Sequence, residues 1–457
     1  MPSEITLTVT QGKLQGQQYT FTERTTCIIG RSSECNIKLP SDTEHSSISR
    51  YHCLLDISPP RVRIRDFGSL NGTYVNGTKI GQRSKDQTPE QGTKLNFPEY
   101  DLQNQDKIQL GNTVFHVSIQ YPSAQIDIPV NSDSSNTNYP DEQKVNFREI
   151  ITRWLRLAAK EQQPELLPLK GYRDIKLLGK GGFGEVYLAK DENTGEPIAI
   201  KVMLPAHMEN KKAIQNFLRE AENTKALTHP HVVQFKNYGY FQGILFLTME
   251  YCNVGSVADL MAKYDGKLPI NIAVPIILQI LDGLVYTHSA EIPNVRLRDG
   301  RIGKGKGLVH RDLKPANMLL TRQGDQVTAK IADYGLAKAF DLAGLSGHSL
   351  TGTKAGSPRF MCRQQLLNFK YVQPEADVWA VAASLYNMLT GTYARNFTKD
   401  PLLSILENEP IPIRQRDANI PKKLAEVIDL GLVEKPQIHF KNAAAFKRAL
   451  EFVYTPE

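Results

Sequence analysis

The chain has 457 residues, 40% hydrophobic and 23% charged, an ordinary globular composition too long for a single core. Its formal charge of +7 suits acidic ligands such as nucleotides and is too small a surplus to point to nucleic acid. Five cysteines, odd in number and without metal-ligand spacing, read as free thiols in a reducing cytoplasm; the Met1-Pro2-Ser3-Glu4 start has no signal-peptide pattern, and no uninterrupted apolar run is long enough for a membrane span.

Residues 1–121 alternate in polarity with period two, in Ile5-Thr6-Leu7-Thr8-Val9, Val62-Arg63-Ile64-Arg65 and Val114-Phe115-His116-Val117. Gly, Asn and Pro turns separate these runs, which predicts an all-β antiparallel sandwich. Within it stand Gly30-Arg31, Ser49-Arg50-Tyr51-His52 and Ser69-Leu70-Asn71-Gly72-Thr73-Tyr74-Val75-Asn76-Gly77. A guanidinium, a hydroxyl and an amide on neighbouring loops are the donors a phosphate dianion needs. Singly each motif is noise or a turn; in this order and spacing they resemble a forkhead-associated (FHA) domain. The resemblance implies binding of phosphothreonine peptides, with Arg31, Ser49 and Arg50 on phosphate and Asn71 on the peptide backbone. His52 then fixes the loop, and Gly30 and Gly72 serve backbone geometry. The stretch from Gln82 to Gln103 is longer than a tight hairpin needs and reads as a loop insertion.

Residues 122–140, rich in Ser, Asn, Asp and Pro, hold too little apolar surface to bury and read as a flexible linker. Residues 141–170 read as an amphipathic helix and connector, with Val145, Ile150, Ile151, Trp154, Leu155 and Leu157 at helical spacing.

From residue 171 onward the chemistry is denser. Gly179-Lys180-Gly181-Gly182-Phe183-Gly184 lies between two strand-like runs, and its glycines let backbone amides approach phosphates. A Rossmann turn needs a helix next, but Val186-Tyr187-Leu188-Ala189 continues as a strand; a Walker A loop would need a closing Gly-Lys-Ser/Thr. Lys201 sits on the apolar run Ala199-Ile200-Lys201 and needs a partner to be buried. Glu220 is preferred over its neighbour Glu222. His310-Arg311-Asp312-Leu313-Lys314-Pro315-Ala316-Asn317 then places an acid, an amine and an amide on one short loop, and Asp333-Tyr334-Gly335 adds a second acid.

Together with Asp377-Val378-Trp379, these motifs stand in the order of eukaryotic-type protein kinases, and residues 171–457 resemble that family, in motif style its bacterial, cyanobacterial-like members. The resemblance implies a two-lobed α+β fold with ATP and Mg²⁺ in the cleft. ATP is then expected on Gly179, Lys180, Gly181, Gly182, Gly184, Val186, Ala199, Lys201, Glu250, Cys252 and Leu319, with Met249 as gatekeeper and Glu250-Tyr251-Cys252 as hinge. Asn317 and Asp333 are oxygen ligands suited to Mg²⁺. Asp312 accepts the substrate proton, Lys314 neutralises the transferring phosphoryl, and Lys201 pairs with Glu220 while holding phosphates. Asp312-Leu313-Lys314-Pro315 resembles the serine/threonine branch. Arg311 is expected to meet a phosphate on the activation segment, where Ser346, Ser349, Thr351 and Thr353 are candidates and Thr353 has the family's spacing.

Two features depart from that family. Tyr334 replaces a Phe, and its hydroxyl needs a partner if buried. Cys362-Arg363-Gln364 replaces Ala-Pro-Glu, while His439 stands where the Glu's arginine partner is expected, so a neutral Gln364–His439 pair is the expected replacement. Residues 290–307 are a basic insertion with Arg296, Arg298, Arg301, Lys304 and Lys306. The sequence therefore reads as a multidomain, cytoplasmic serine/threonine kinase with a phosphothreonine-binding module. Its partners are protein substrates with Ser or Thr and a phosphothreonine protein, a second copy of the chain included. The rival reading is a catalytically weak pseudokinase acting as a phosphopeptide-dependent scaffold.

Overall fold

The computed structural model describes residues 3–22, 25–40, 47–84, 86–87, 97–121, 172–181, 184–203, 219, 221–241, 244–296, 302–334, 357–368, 372–397 and 400–454. The expected linker and connector helix (122–170) lie outside these residues, as do Gly182, Glu220, Gly335 and Thr353.

The N-terminal region is a two-sheet sandwich. One sheet has the order β2 (Gln18–Phe21), β1 (Glu4–Gln11), β11 (Thr113–Gln120), β10 (Lys107–Leu110), β7 (Thr73–Val75), β8 (Thr78–Gly81). The other runs β4 (Ile37–Lys38), β3 (Thr25–Gly30), β5 (Cys53–Ser58), β6 (Arg61–Asp66), β9 (Tyr100–Leu102). Period-two alternation puts Ile5, Leu7 and Val9 of β1 and Phe115, Val117 and Ile119 of β11 into one core with Cys27, Ile29, Leu55 and Ile64. Asn76 and Gly77 both have positive φ (49° and 79°), the two-residue turn that matches strand twist between β7 and β8. The stretch expected to be a pure loop insertion, Gln82 to Gln103, supplies the edge strand β9 instead, paired with β6 through Val62–Leu102 and Ile64–Tyr100.

From Tyr172 a five-stranded antiparallel sheet forms, in the order β12 (Tyr172–Gly181), β13 (Gly184–Asp191), β14 (Pro197–Met203), β16 (Ile244–Glu250), β15 (Phe235–Phe241). Beyond it comes the helical lobe. Its helices are α1 (Val257–Lys263), α2 (Ile270–Thr287), α3 (Arg363–Leu367), α4 (Pro374–Thr390), α5 (Pro401–Glu407), α6 (Lys422–Gly431) and α7 (Ala443–Val453). Short strands β17 (Gly255–Ser256), β20 (Met318–Gln323) and β21 (Gln326–Ile331) form a small sheet at the cleft floor. Helix α4 carries fourteen consecutive buried residues, Ala376 to Leu389, opens with Pro374 in its first turn and stops at Gly391 in the left-handed region (φ 70°). Helix α2 is apolar and long enough by composition to span a membrane, yet half of it is buried inside the lobe against α4, α7 and β21. The basic insertion is a β-hairpin, β18 (Glu291–Arg296) with β19 (Ile302–Lys306). Buried Asn223 ties it to the small lobe by a reciprocal amide pair, donating to Asn294 O (3.2 Å) and accepting from Asn294 N (3.0 Å).

Candidate active site

The loop from His310 to Asn317 is held by a carboxylate from a distant helix. Asp377 of α4 accepts from His310 N (2.8 Å), Arg311 N (2.8 Å) and His288 Nε2 (2.8 Å), and is almost fully buried. Burial pushes this carboxyl up, but the hydrogen bond and charge of His288, aided by His310 and the Arg311 amide, outweigh it and hold Asp377 below the ordinary carboxylate range. Arg311 adopts φ 71° and Asp333 φ 62°, conformations that cost free energy for residues with a Cβ and persist where surroundings over-determine them. His310 clamps the loop from inside. Its Nδ1 accepts from Asp312 N (3.2 Å), so the proton is on Nε2, which donates to Ala332 O (2.7 Å).

The side chains expected to do chemistry converge. Lys314 Nζ lies 2.8 Å from Asp312 Oδ2, and Asn317 Nδ2 donates to Asp312 O (2.7 Å) and Oδ2 (3.1 Å). That commits one carboxylate oxygen of Asp312 and turns the Asn317 amide so that its carbonyl oxygen is the atom available to a hard cation. Lys201 Nζ bonds both oxygens of Asp333 at 2.8 Å. Burial raises the Asp333 carboxyl, but the charge and hydrogen bond of Lys201, with His310 and Lys314, hold it below its ordinary range. The expected partner Glu220 is outside the described residues, while Glu222 is occupied by the Tyr238 hydroxyl.

Val186, Ala199, Cys252 and Leu319 of the expected nucleotide lining also meet, with Met249. One cluster holds Ala199, Met249 and Cys252 buried, with Val186 and Leu319 half-buried against it. Val186 is opposite Lys201 and Ala199 opposite Met249 in the strand registers, so the strand pairing builds the cleft roof. Gly181 pairs with Gly184 (φ 139°) where the glycine loop turns, and a Cβ on Gly179 would meet open space. The Glu250 side chain is taken by Lys330 Nζ (2.9 Å) and Gln234 N (2.6 Å), and its backbone N donates to Gln234 O (3.0 Å), so these groups are committed within the protein. Tyr334 is buried and its hydroxyl meets Thr287 Oγ1 at 2.6 Å, so the partner it needs is present.

The expected Gln364–His439 pair is not formed: His439 is exposed and no hydrogen bond joins the two among the described residues. An ion pair of reversed polarity stands there instead. Arg363 donates from its backbone N (2.8 Å) and Nη1 (3.2 Å) to Glu434, and Arg395 bonds the same carboxylate, all three being buried. Arg395 also stacks on Trp379 (4.5 Å to the ring centre) and donates to the carbonyls of Met361 (3.1 Å) and Asn408 (3.0 Å). The positive charge has moved to the activation-segment side and the negative one to the C-terminal side, which preserves the pairing that a lone buried charge would lack. Gln365 of the same short helix donates to Arg311 O (2.6 Å) and so braces the catalytic loop. Arg363 and Gln365 flank Gln364, and the sequence signal for the pair is Glu434, two residues before Pro436.

In the N-terminal sandwich the loops bearing Arg31, Ser49 and Asn71 are tied to one another. Arg31 N donates to Ser49 O (3.1 Å), Ser49 Oγ accepts from Leu70 N (3.2 Å), and Asn71 Nδ2 donates to Ser47 O (2.6 Å). Arg50 is exposed, and half-buried Arg31 has an Nε without a partner among the described residues. His52, fully buried, accepts from Ser49 N at Nδ1 (3.1 Å) and donates from Nε2 to Gly72 O (3.1 Å). A Cβ at Gly30 would lie 2.2 Å from Arg50 O, so only glycine lets these loops close together.

A protein kinase domain model matches residues 172–426, more than half of the chain. The chain belongs to the protein kinase family. An FHA domain model matches residues 27–111. Similar proteins include the tyrosine-protein kinase MasK of Myxococcus xanthus, 30% identical over 299 residues, covering 63% of this chain and 44% of that protein. The serine/threonine-protein kinase PknD of Mycobacterium tuberculosis is 30% identical over 275 residues, covering 60% of this chain and 38% of that one. The serine/threonine-protein kinase PknA of M. tuberculosis is 28% identical over 291 residues, covering 62% of this chain and 61% of that one. The chain thus spans less than two thirds of the length of these relatives. The solved kinase domain of M. tuberculosis PknI aligns at 23% identity with a TM-score of 0.45, over 62% of this chain and 96% of that one.

Proposed function

We propose that this protein is a serine/threonine protein kinase that transfers the γ-phosphoryl of ATP to protein hydroxyls and carries an FHA module that binds phosphothreonine peptides. We place the FHA module at 1–121 and the kinase domain at 171–457, and the protein in the cytoplasm. The observation that carries the catalytic reading is the convergence of Lys314 and Asn317 on Asp312, beside Asp333 paired with Lys201.

In this reading the oxygen of Asp312 not engaged by Lys314 and Asn317 orients the acceptor hydroxyl and takes its proton as the new O–P bond forms and the β–γ bridging bond breaks. Lys314 lies against the same carboxylate and offsets negative charge on the transferring group. Lys201 holds the α- and β-phosphates from the cleft roof, with Glu220 as its second partner. Val186, Ala199, Cys252 and Leu319 supply apolar contact for the adenine. Asn317 and Asp333 offer the oxygen donors a magnesium ion takes, and Mg²⁺ bound there supplies charge neutralisation of the phosphates. Thr353 is the proposed regulatory phosphosite read by Arg311.

Among the relatives some are named serine/threonine kinases and one a tyrosine kinase. Leu313-Lys314-Pro315 after Asp312 favours the serine/threonine assignment. The test is transfer of label from Mg-ATP to a generic protein substrate, reduced roughly 10²–10⁴-fold in Asp312→Asn. ATP binding without transfer would support the scaffold reading instead. For the module, a phosphothreonine peptide pool should bind better than its bare counterpart, and Arg31→Ala should lower that affinity by about 10- to 100-fold, a charge-assisted hydrogen bond contributing roughly 1.5–3 kcal/mol.

A further inference from the structure

The outer face of the β3–β5–β6 sheet is not a free surface. In β3 and β5, Cys27, Ile29, Cys53 and Leu55 point into the sandwich core, while Ile28 and Leu54 point the other way and are equally buried. With Cys35, Tyr51 and Phe67 they pack on Met361, Leu366, Leu402, Leu403, Ile405 and Leu406 of the kinase lobe. Helix α5 buries five consecutive residues, Leu402 to Leu406, which a helix with one solvent face does not do.

Polar contacts fix the register of this interface. Carbonyls in the last turn of a helix lack intrahelical partners, and here the sandwich supplies them. Thr26 Oγ1 donates to Leu366 O (2.8 Å) and Asn36 Nδ2 to Leu367 O (2.8 Å). Arg65 Nη1 meets Asp400 Oδ2 at 2.7 Å, both side chains largely buried, and Lys435 meets Glu34 at 3.3 Å.

One loop serves two surfaces. Residues 31–36 begin at Arg31, which the proposed reading puts on phosphate, and end at Glu34, Cys35 and Asn36, which touch the kinase lobe. Ser32 N donates to Arg50 O (3.0 Å), Cys35 Sγ to Arg50 O (3.3 Å), Ile28 N to Asn36 Oδ1 (2.8 Å), and the Tyr51 hydroxyl to Glu34. Holding Asn36 on α3 and Tyr51 in the interface cluster therefore also holds the Arg50 carbonyl and the backbone around Arg31, the residues that the proposed reading puts on phosphate. On the far side, α3 reaches the catalytic loop through Gln365 and Arg311 O.

We propose that docking of the FHA module on α3 and α5 and phosphothreonine-peptide binding are positively linked through the 31–36 loop. A phosphopeptide tightens the module onto the helix that braces the catalytic loop, and the docked module binds the phosphopeptide more tightly than an undocked one. The proposal rests on the phosphothreonine-binding reading of the module. Linkage makes the effect reciprocal, because preorganisation by one contact lowers the cost of the other.

The test uses the full chain and an equimolar pool of peptides centred on phosphothreonine, with the bare pool as control. Hydrogen exchange at residues 401–407, on the kinase side, should slow when the phosphorylated pool is added. Leu403→Glu, on the kinase side of the interface, should speed that exchange and weaken phosphopeptide affinity by about 5- to 10-fold. If Leu403→Glu does not fold, Thr26→Val removes only the hydroxyl on Leu366 O and should weaken affinity by about 2- to 5-fold, roughly the share of one hydrogen bond. A wild-type chain that discriminates the pools, with exchange at 401–407 unmoved and variant affinity equal to wild type, overturns the linkage alone. A wild-type chain that binds both pools equally overturns the phosphothreonine reading and the linkage with it.

Discussion

The loop bearing Asp312 and the loop bearing Ser49 and Asn71 share one construction on unrelated folds. Each is clamped by a fully buried histidine whose Nδ1 accepts a backbone amide and whose Nε2 donates to a carbonyl, His310 in one and His52 in the other. Each has a buried aspartate collecting backbone N–H groups: Asp377 takes His310 N and Arg311 N, and Asp66 takes Gly68 N (2.7 Å) and Ser69 N (2.8 Å). The difference is the source of that aspartate. Asp66 comes from the strand that enters its own loop, with Ser69 and Thr73 hydroxyls added, so the reader is braced locally. Asp377 comes from a helix more than sixty residues on, so the catalytic loop depends on the whole large lobe. The Ser49–Asn71 region is made rigid by its own turn, whereas the loop on which Asp312, Lys314 and Asn317 converge takes its rigidity from the core.

The largest expected effect breaks that core support. Glu434→Gln strands the buried guanidiniums of Arg363 and Arg395 and should cost about 3–5 kcal/mol in urea unfolding. His439→Ala, at an exposed position, should stay within about 0.5 kcal/mol. Next, Asp377→Asn keeps the shape but removes the charge that anchors two loop amides and His288. It should cost about 1.5–3 kcal/mol, with kcat falling more than the melting temperature implies because the loop itself is loosened. Thr287→Val leaves the Tyr334 hydroxyl buried without its oxygen partner and should cost about 1–3 kcal/mol by thermal melting. A value near zero would mean that the hydroxyl finds another acceptor.

The smallest effect lies on the reader side and depends on pH. Burial pushes the His52 imidazole down, and the Asp66 charge and Gly72 carbonyl only partly offset it. Its folded pKa is below the unfolded value of about 6.5, so the unfolded chain takes up a proton first as pH falls. The stability that neutral His52 protects is present above about pH 6.5 and declines as pH drops below it. Thermal melts of the sandwich transition from pH 8 to 5 should show a decline that His52→Gln flattens.

The catalytic loop was legible because its acid, amine and amide are local in sequence and the spacing alone groups them. The sandwich was legible for the same reason, through period-two strands and loop motifs. The reversed Arg363–Glu434 pair was not, since its partners are 71 residues apart and stand beside, not at, the positions where the family's usual charges are missing. The interface between sandwich and kinase did leave a trace. Cys27-Ile28-Ile29 and Cys53-Leu54-Leu55 are continuous apolar runs, which mark strands buried on both faces, and Leu402 to Leu406 is apolar around nearly the whole helix. Which surface covers them follows only from the three-dimensional arrangement.

The loop bearing Asp312 is proposed to transfer phosphoryl groups to serine and threonine. Labelling a protein substrate from γ-labelled Mg-ATP and hydrolysing it to its phosphoamino acids tests this in one step. The wild type should give label in phosphothreonine and phosphoserine, and Asp312→Asn none above background. Label in phosphotyrosine, or ATP bound with no label transferred, would contradict it.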